Sequence, residues 1–409
     1  MEWKKHRLRD LALSIQTGPF GSQLHQSDYS ESGVPVIMPK DIINGKIVTN
    51  EIARVSDIHV QRLKRHKVRS GDIIYSRRGD VGRCSLITER EEGWLCGTGC
   101  LKVALDKTKC VPSFIAFILQ RKDSIGWVEN HAVGATMPNL NTGILSNLPL
   151  IIPTFEEQRR IASILSAYDN LIENNNKRIR LLEQMAKNLY KEWFVRFRFP
   201  GHEKAEFENG LPKGWKIEHI GDVCETLGGG TPSTSKPEYW NGEVKWVTPT
   251  DITTKNSLPL LNIEGRITEE GLKNSSAKLL PPYTILMTSR ASIGYFGLAP
   301  FPVCTNQGFI SIIPNMENMR MYILHNLMTR KDEIIMNANG ATFLEISKGR
   351  FRKMKIVVPD DNTLDVFEKM AKDIFMQVLK IEKQNALLMR QRDLLLPRLM
   401  SGKLEVNIN

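Results

Sequence analysis

Through the first 154 positions the apolar residues come in short or alternating runs, at 34–38, 72–75, 101–105 and 148–152, separated by Gly, Pro and Asn turns. Runs of this length between turn residues predict strands. One stretch, 113–125, has helical spacing, with Pro112 ahead of it and Ser113 placed to cap it. From 155 the pattern changes. Ile161, Leu165, Tyr168, Ile172, Ile179, Leu182, Ala186, Leu189 and Trp193 recur at alternating three- and four-residue steps, which sets one apolar seam along a coiled coil. A second seam, Phe367, Ile374, Ile381, Leu388 and Leu395, recurs at sevens. Each helix would be roughly 55 to 60 Å long at 1.5 Å per residue, too long for a domain of ~150 residues to cover, so the two are expected to pack on each other. Asn175 and Asn385 interrupt the seams, either as buried amides that fix register or as exposed positions.

The second half restates the first. Trp3-Lys4, Leu8, Asp10 and Leu11 align with Trp215-Lys216, Ile220, Asp222 and Val223, and Val34, Pro39, Asp41 and Ile42 align with Val244, Pro249, Asp251 and Ile252. The run 73–82 matches 285–294, with both copies ending in glycine, and Arg121-Lys122-Asp123 matches Arg330-Lys331-Asp332. Gly134-Ala135-Thr136 matches Gly340-Ala341-Thr342, and 150–153 matches 356–359. Ordered, near-constant offsets of this kind indicate a duplication. The second copy of the short helix falls at 318–336. The expected fold is α+β, with two tandem α+β domains at 1–154 and 211–359. Each is followed by a long helix, at 155–199 and 360–403, and 200–210 is a linker. A pseudo-two-fold relation between the repeats would make the two helices an antiparallel coiled coil.

Composition narrows the function. With 41% hydrophobic and 25% charged residues the chain is able to bury a full core, and its length of 409 residues suits two or three domains. No apolar run is long enough for a membrane span and no apolar segment follows the first charges, so a cytoplasmic location is expected. The six cysteines make no paired knuckles and read as reduced, mostly buried thiols. A formal charge of +11 suits a nucleic-acid partner without requiring one. Gly228-Gly229-Gly230-Thr231-Pro232 lacks the lysine of a phosphate loop, and Pro281-Pro282-Tyr283 lacks the Asn or Asp of an amino-methyltransferase motif. Pro359-Asp360-Asp361 has no Glu-x-Lys after it, and none of the eight histidines pairs at metal-ligand spacing. Neither a catalytic centre nor a metal site is expected, so the chain reads as a binding protein.

Several motifs resemble those of the specificity subunits of type I restriction-modification systems. Pro153-Thr154-Phe155-Glu156-Glu157-Gln158-Arg159-Arg160-Ile161 is similar to the start of that family's central helical region. Asp393-Leu394-Leu395-Leu396-Pro397-Arg398-Leu399-Met400-Ser401-Gly402 resembles its C-terminal end, and Leu211-Pro212-Lys213-Gly214-Trp215 resembles the opening of its second target-recognition domain. The second helix departs from the pattern, beginning Pro359-Asp360-Asp361-Asn362 without a Glu-Gln pair. The resemblance implies a non-catalytic subunit that reads double-stranded DNA with one domain per half-site. Because the domains differ, the target would be bipartite and asymmetric. It also implies docking of two modification (methyltransferase) subunits and of restriction subunits, which would use S-adenosylmethionine, ATP and Mg, with no cofactor bound by this chain. The specificity subunit of a related bifunctional methyltransferase-nuclease of type IIB or IIG character is the nearest alternative, and a scaffold that does not bind DNA is a more distant one.

Guanidinium and amide groups read bases, whereas hydroxyls position phosphates. Polar residues beside the repeated strands are therefore the candidate DNA contacts. In the first domain they are Thr17, Ser22, Gln23, Lys40, Arg77, Arg78 and Asn139. In the second they are Thr231, Ser233, Thr234, Lys236, Thr250, Ser289, Arg290, Asn306 and Gln307. Thr136 and its copy sit in turns that could touch phosphate, and the basic stretch 177–180 reads equally as a solvated helix face or as a track for DNA.

Overall fold

A computed structural model describes residues 3–134, 138–255, 257–340 and 344–404. The chain forms two compact units, Met1–Asn170 with Met389–Asn409, and Leu171–Leu388, so each unit takes one globular domain and a stretch of both long helices.

In the first unit a four-stranded antiparallel sheet has the order Ala12–Thr17, Cys100–Leu105, Ile73–Ser76, Cys84–Leu86. Every residue of Ile73–Ser76 is buried, because this strand is covered on both faces. Beside it lies a second sheet in which Leu95–Cys96 runs parallel to Val34–Ile37. The strand Lys4–Arg7 pairs antiparallel with Pro149–Ile152, bringing the two ends of the domain together just before the long helix. The second unit repeats this plan. Its four-stranded sheet runs Cys224–Gly228, Phe309–Pro314, Ile285–Thr288, Phe296–Gly297. Cys304–Thr305 is parallel to Trp240–Val247, and Lys216–His219 closes on Lys355–Val358.

The helices expected at 113–125 and 318–336 are each divided. Pro112–Leu119 and Lys122–His131 are separated at Arg121, whose backbone is extended and whose guanidinium reaches the Met400 carbonyl at 2.8 Å. Val111, not Ser113, is the capping position, with Pro112 at the first turn. In the second copy Arg320–Thr329 and Lys331–Met336 part at Arg330, which reaches the Lys355 carbonyl at 2.7 Å. The break thus falls at the same arginine in both copies of the repeat.

The first long helix, Phe155–Tyr190, starts at a capping box in which the Glu157 carboxylate accepts from the Thr154 amide and hydroxyl. It ends in a π-helical turn, Lys191–Val195, so 196–199 lies beyond it. The second, Asp361–Leu399, is capped by Asp360, which accepts from the Thr363 amide at 3.0 Å. In this chain one aspartate supplies the start that the missing Glu-Gln pair would otherwise mark. Within the second unit the two helices run antiparallel, with Ile179 packed on Val378 and Ile381, and Tyr190 on Phe367. Within the first, Arg392 is bonded to Asp169 at 2.7 Å, and Leu399 and Met400 join the core around Leu165 and Phe114. Along the seams Leu165, Ile172, Ile179, Phe367 and Ile381 are buried, and Tyr168, Leu182, Leu189, Ile374, Leu388 and Leu395 are half-buried.

Asn175 and Asn385 are both buried. Asn175 Nδ2 donates to Asn385 Oδ1 at 2.9 Å, and Asn385 Nδ2 donates to Asn176 Oδ1 at 2.9 Å. A one-turn slip would strand both amides in an apolar seam, so this pair sets the register. Asn175→Ala is expected to lower unfolding stability by about 1 to 3 kcal/mol, because it leaves a buried acceptor unmatched. Replacing both by leucine should restore that loss. Equal denaturant midpoints for the wild type and Asn175→Ala would contradict the role.

Candidate nucleic-acid interface

Five loops of the first domain meet at one end of its sheets, and backbone bonds hold them together. Gly18 N donates to Cys100 O at 2.9 Å, Arg77 N to Gly99 O at 2.7 Å, and Leu140 N to Arg77 O at 2.8 Å. Gly18 has no room for a side chain, since a Cβ there would lie 2.0 Å from the Gly97 carbonyl oxygen. The turn at Pro39–Asp41 is fixed by the buried Asp41 carboxylate, which accepts from the Met38 amide at 2.8 Å. Burial raises the pKa of that carboxyl. The aspartate repeated in both halves is therefore a turn-setting group.

The second domain builds the same frame. A Cβ on Gly229 would lie 2.1 Å from the Asn306 carbonyl oxygen, Ser289 N donates to Gly308 O at 2.8 Å, and Ile346 N donates to Ser289 O at 3.0 Å. Asp251 accepts from Thr248 N at 2.8 Å, as Asp41 does from Met38. These contacts align Phe20 with Thr231, Arg77 with Ser289, Arg78 with Arg290, and Asn139 with Glu345.

The frame presents the candidate residues differently in each domain. In the first, Ser22, Lys40 and Arg78 are exposed, and Lys40 Nζ donates to the Glu51 carbonyl at 3.1 Å. Arg77 Nε donates to Asn139 Oδ1 at 3.3 Å, and its guanidinium lies 5.6 Å from the centre of the Phe20 ring. Thr17 is half-buried at a strand end opposite Leu101, beside His66, whose pKa burial lowers to about 4. Gln23 accepts from Phe20 N at 3.1 Å, which commits part of its amide to holding the loop.

In the second domain Thr231 is bonded to Gln307, and Arg290 lies 3.9 Å from the Glu345 carboxylate. Thr234 and Thr250 are exposed. Ser233 bonds Ser235 at 2.8 Å, and Lys236 bonds the Tyr239 hydroxyl at 2.9 Å, where it also lies over the ring. Asn306 Oδ1 accepts from Gly308 N at 2.9 Å, which makes it a loop brace. Ser289 is a correction: it is 2% exposed, because the strand end turns it inward, and it offers DNA no side chain. Thr136 and Thr342 lie outside the described residues.

Sequence reasoning missed Phe20 and Glu345. Phe20 is an apolar residue between Pro19 and Gly21 and is 49% exposed, although hydrophobicity alone would bury it. Glu345 lies at the repeat offset from Asn139, and that offset was the available signal.

All six cysteines are free and buried. Burial pushes the pKa of the Cys84, Cys96 and Cys224 thiols up to about 12. Among the described residues no group of three His, Cys, Asp or Glu side chains is placed to hold a metal, and no helix is long and apolar enough to cross a membrane. On the helices Lys177 pairs with Glu173 at 3.0 Å, whereas Arg178 and Arg180 are exposed.

The profile of the type I restriction modification DNA specificity domain matches residues 1–184 and 212–387, one match per repeat. The type I restriction enzyme HindI specificity subunit of Haemophilus influenzae is 24% identical, over 98% of this chain and 100% of its own. The type I restriction enzyme MjaIX specificity subunit of Methanocaldococcus jannaschii is also 24% identical, over 99% of this chain and 94% of its own. A crystal structure of the type I restriction-modification S subunit from M. genitalium shares the fold at a TM-score of 0.63 and 16% identity, covering 98% of this chain and 96% of that one. With a family match that spans both repeats, the chain belongs to the type I restriction-modification DNA specificity family.

Proposed function

We propose that this chain is the non-catalytic subunit that gives a type I restriction-modification complex its DNA sequence specificity. Each domain reads one half-site of a bipartite, asymmetric target. The observation that carries this reading is the matched pair of loop clusters, one backbone frame bearing Phe20, Arg77 and Asn139 in one domain and, in the other, Thr231 and Glu345 with Ser289 turned inward at the place of Arg77. One frame suits one kind of ligand, and different side chains suit different bases. Two modest interfaces on one chain bind together with a gain in effective concentration. The long helices set the unread gap and dock two methyltransferase subunits, with restriction subunits joining that core. S-adenosylmethionine, ATP and Mg belong to those partners.

Salt dependence of binding by the assembled methyltransferase complex tests this reading. With six to ten phosphates contacted, affinity for target duplex should fall about 10³- to 10⁵-fold between 50 and 200 mM salt. No detectable binding of duplex by the assembled complex, even at 50 mM salt, would favour a scaffold that does not bind DNA.

A further inference from the structure

We infer that Arg77 is the guanine-reading residue of the first half-site, with Asn139 and Phe20 as the groups that position it. The inference rests on the chain being a DNA-specificity subunit and goes beyond that reading by assigning a base to a side chain.

Three observations carry it. First, Arg77 is held in place before any DNA arrives: its Nε donates to Asn139 Oδ1 at 3.3 Å and its guanidinium lies 5.6 Å from the Phe20 ring centre. Second, Nε is the only nitrogen used by that bond, so the two terminal nitrogens have no partner among the described residues. A guanidinium presented by its terminal edge matches O6 and N7 of guanine in the major groove. The backbone at Phe20 is itself held, because its amide donates to Gln23 Oε1 at 3.1 Å and its carbonyl accepts from Gln23 N at 2.8 Å. An arginine immobilised in this way loses less side-chain entropy on binding.

Third, the comparison between the domains separates bases from phosphates. Arg78 and Arg290 occupy matching places, bridged to Asn139 and Glu345 respectively. A cation kept in both domains suits the phosphate backbone, which every DNA sequence shares. Arg77 aligns with the buried Ser289, Phe20 with Thr231, and Asn139 with Glu345, so the reading triad belongs to the first domain alone. Different half-sites require such a difference.

The test uses the chain co-expressed with its methyltransferase subunit in a host without adenine methylation, with the methylated motif read by single-molecule sequencing. Arg77→Gln is expected to relax one G·C position of one half-site, with discrimination there falling on the order of ten- to a hundredfold. The other half-site and the gap should be unchanged, which also shows that the variant complex folds and assembles. Asn139→Ala should relax the same position more weakly. Arg78→Gln should leave the motif intact and reduce the salt slope of binding by about one. An unchanged motif in Arg77→Gln, relaxation in the half-site read by residues 211–359, or a first half-site without a G·C pair would overturn the assignment. A wild-type complex that methylates no bipartite motif would remove the reading on which it rests.

Discussion

Phe367→Ala is expected to lower the stability of the second unit by about 3 to 5 kcal/mol, the range for truncating a fully enclosed aromatic ring. Phe367 is 0% exposed and lies near the start of the second long helix. Its ring centre is 4.8 Å from that of Phe194, 5.8 Å from Trp193 and 6.2 Å from both Tyr190 and His325. One side chain therefore joins the end of the first helix, the start of the second and the domain helix Arg320–Thr329. Removing it opens a void that three elements border, and closely packed rings collapse into such a void only partly. Chemical denaturation of the wild type, Phe367→Leu and Phe367→Ala should give losses in that order. A loss below about 1 kcal/mol for the alanine variant would mean that the cluster is not what joins these elements.

Exchange of residues 211–359 for the matching domain of a relative should replace one half-site and leave the other half-site and the gap as they were. The structural ground is the ribbon of Lys216–His219 and Lys355–Val358, which closes the domain just inside both cut points. Several bonds run from the exchanged domain to the long helices, among them Trp215 Nε1 to Asp360 Oδ2 at 3.1 Å, Asn326 Nδ2 to the Tyr190 hydroxyl at 2.9 Å and Asn318 Nδ2 to Asp365 Oδ1 at 2.8 Å, so the donor domain must carry Trp215, Asn318 and Asn326 or their equivalents. Sequencing of methylated adenines in the exchanged complex reads the result. Alteration of both half-sites would mean that the domains do not read independently.

Much of this organisation is visible in the chain before any folding is considered. The repeat offsets reveal the duplication, and the three- and four-residue steps mark the seams, because both patterns can be read from the order of residues alone. The breaks at Arg121 and Arg330 are not visible in that way. Both fall in polar runs, 120–124 and 329–333, that a surface helix could also carry, and each arginine's guanidinium is bonded to a carbonyl outside the helix, Met400 in one case and Lys355 in the other. The antiparallel pairing expected from the repeat implies that the second helix returns to the first domain, but not that Leu399 and Met400 complete its core, which is a long-range contact. Side-chain direction at strand ends is likewise a tertiary property. It buries Ser289 and leaves Phe20 49% exposed, the reverse of what their polarity suggests. Candidate residues could thus be assigned to loops beside the repeated strands without showing which of them face outward.

The most direct test of the central claim is to co-express this chain with its methyltransferase subunit in a host lacking adenine methylation and to sequence the modified adenines. The account predicts one methylated motif made of two unrelated half-sites separated by a fixed number of unread base pairs. A single continuous motif, a symmetric one, or an assembled complex that leaves no motif at all would contradict it.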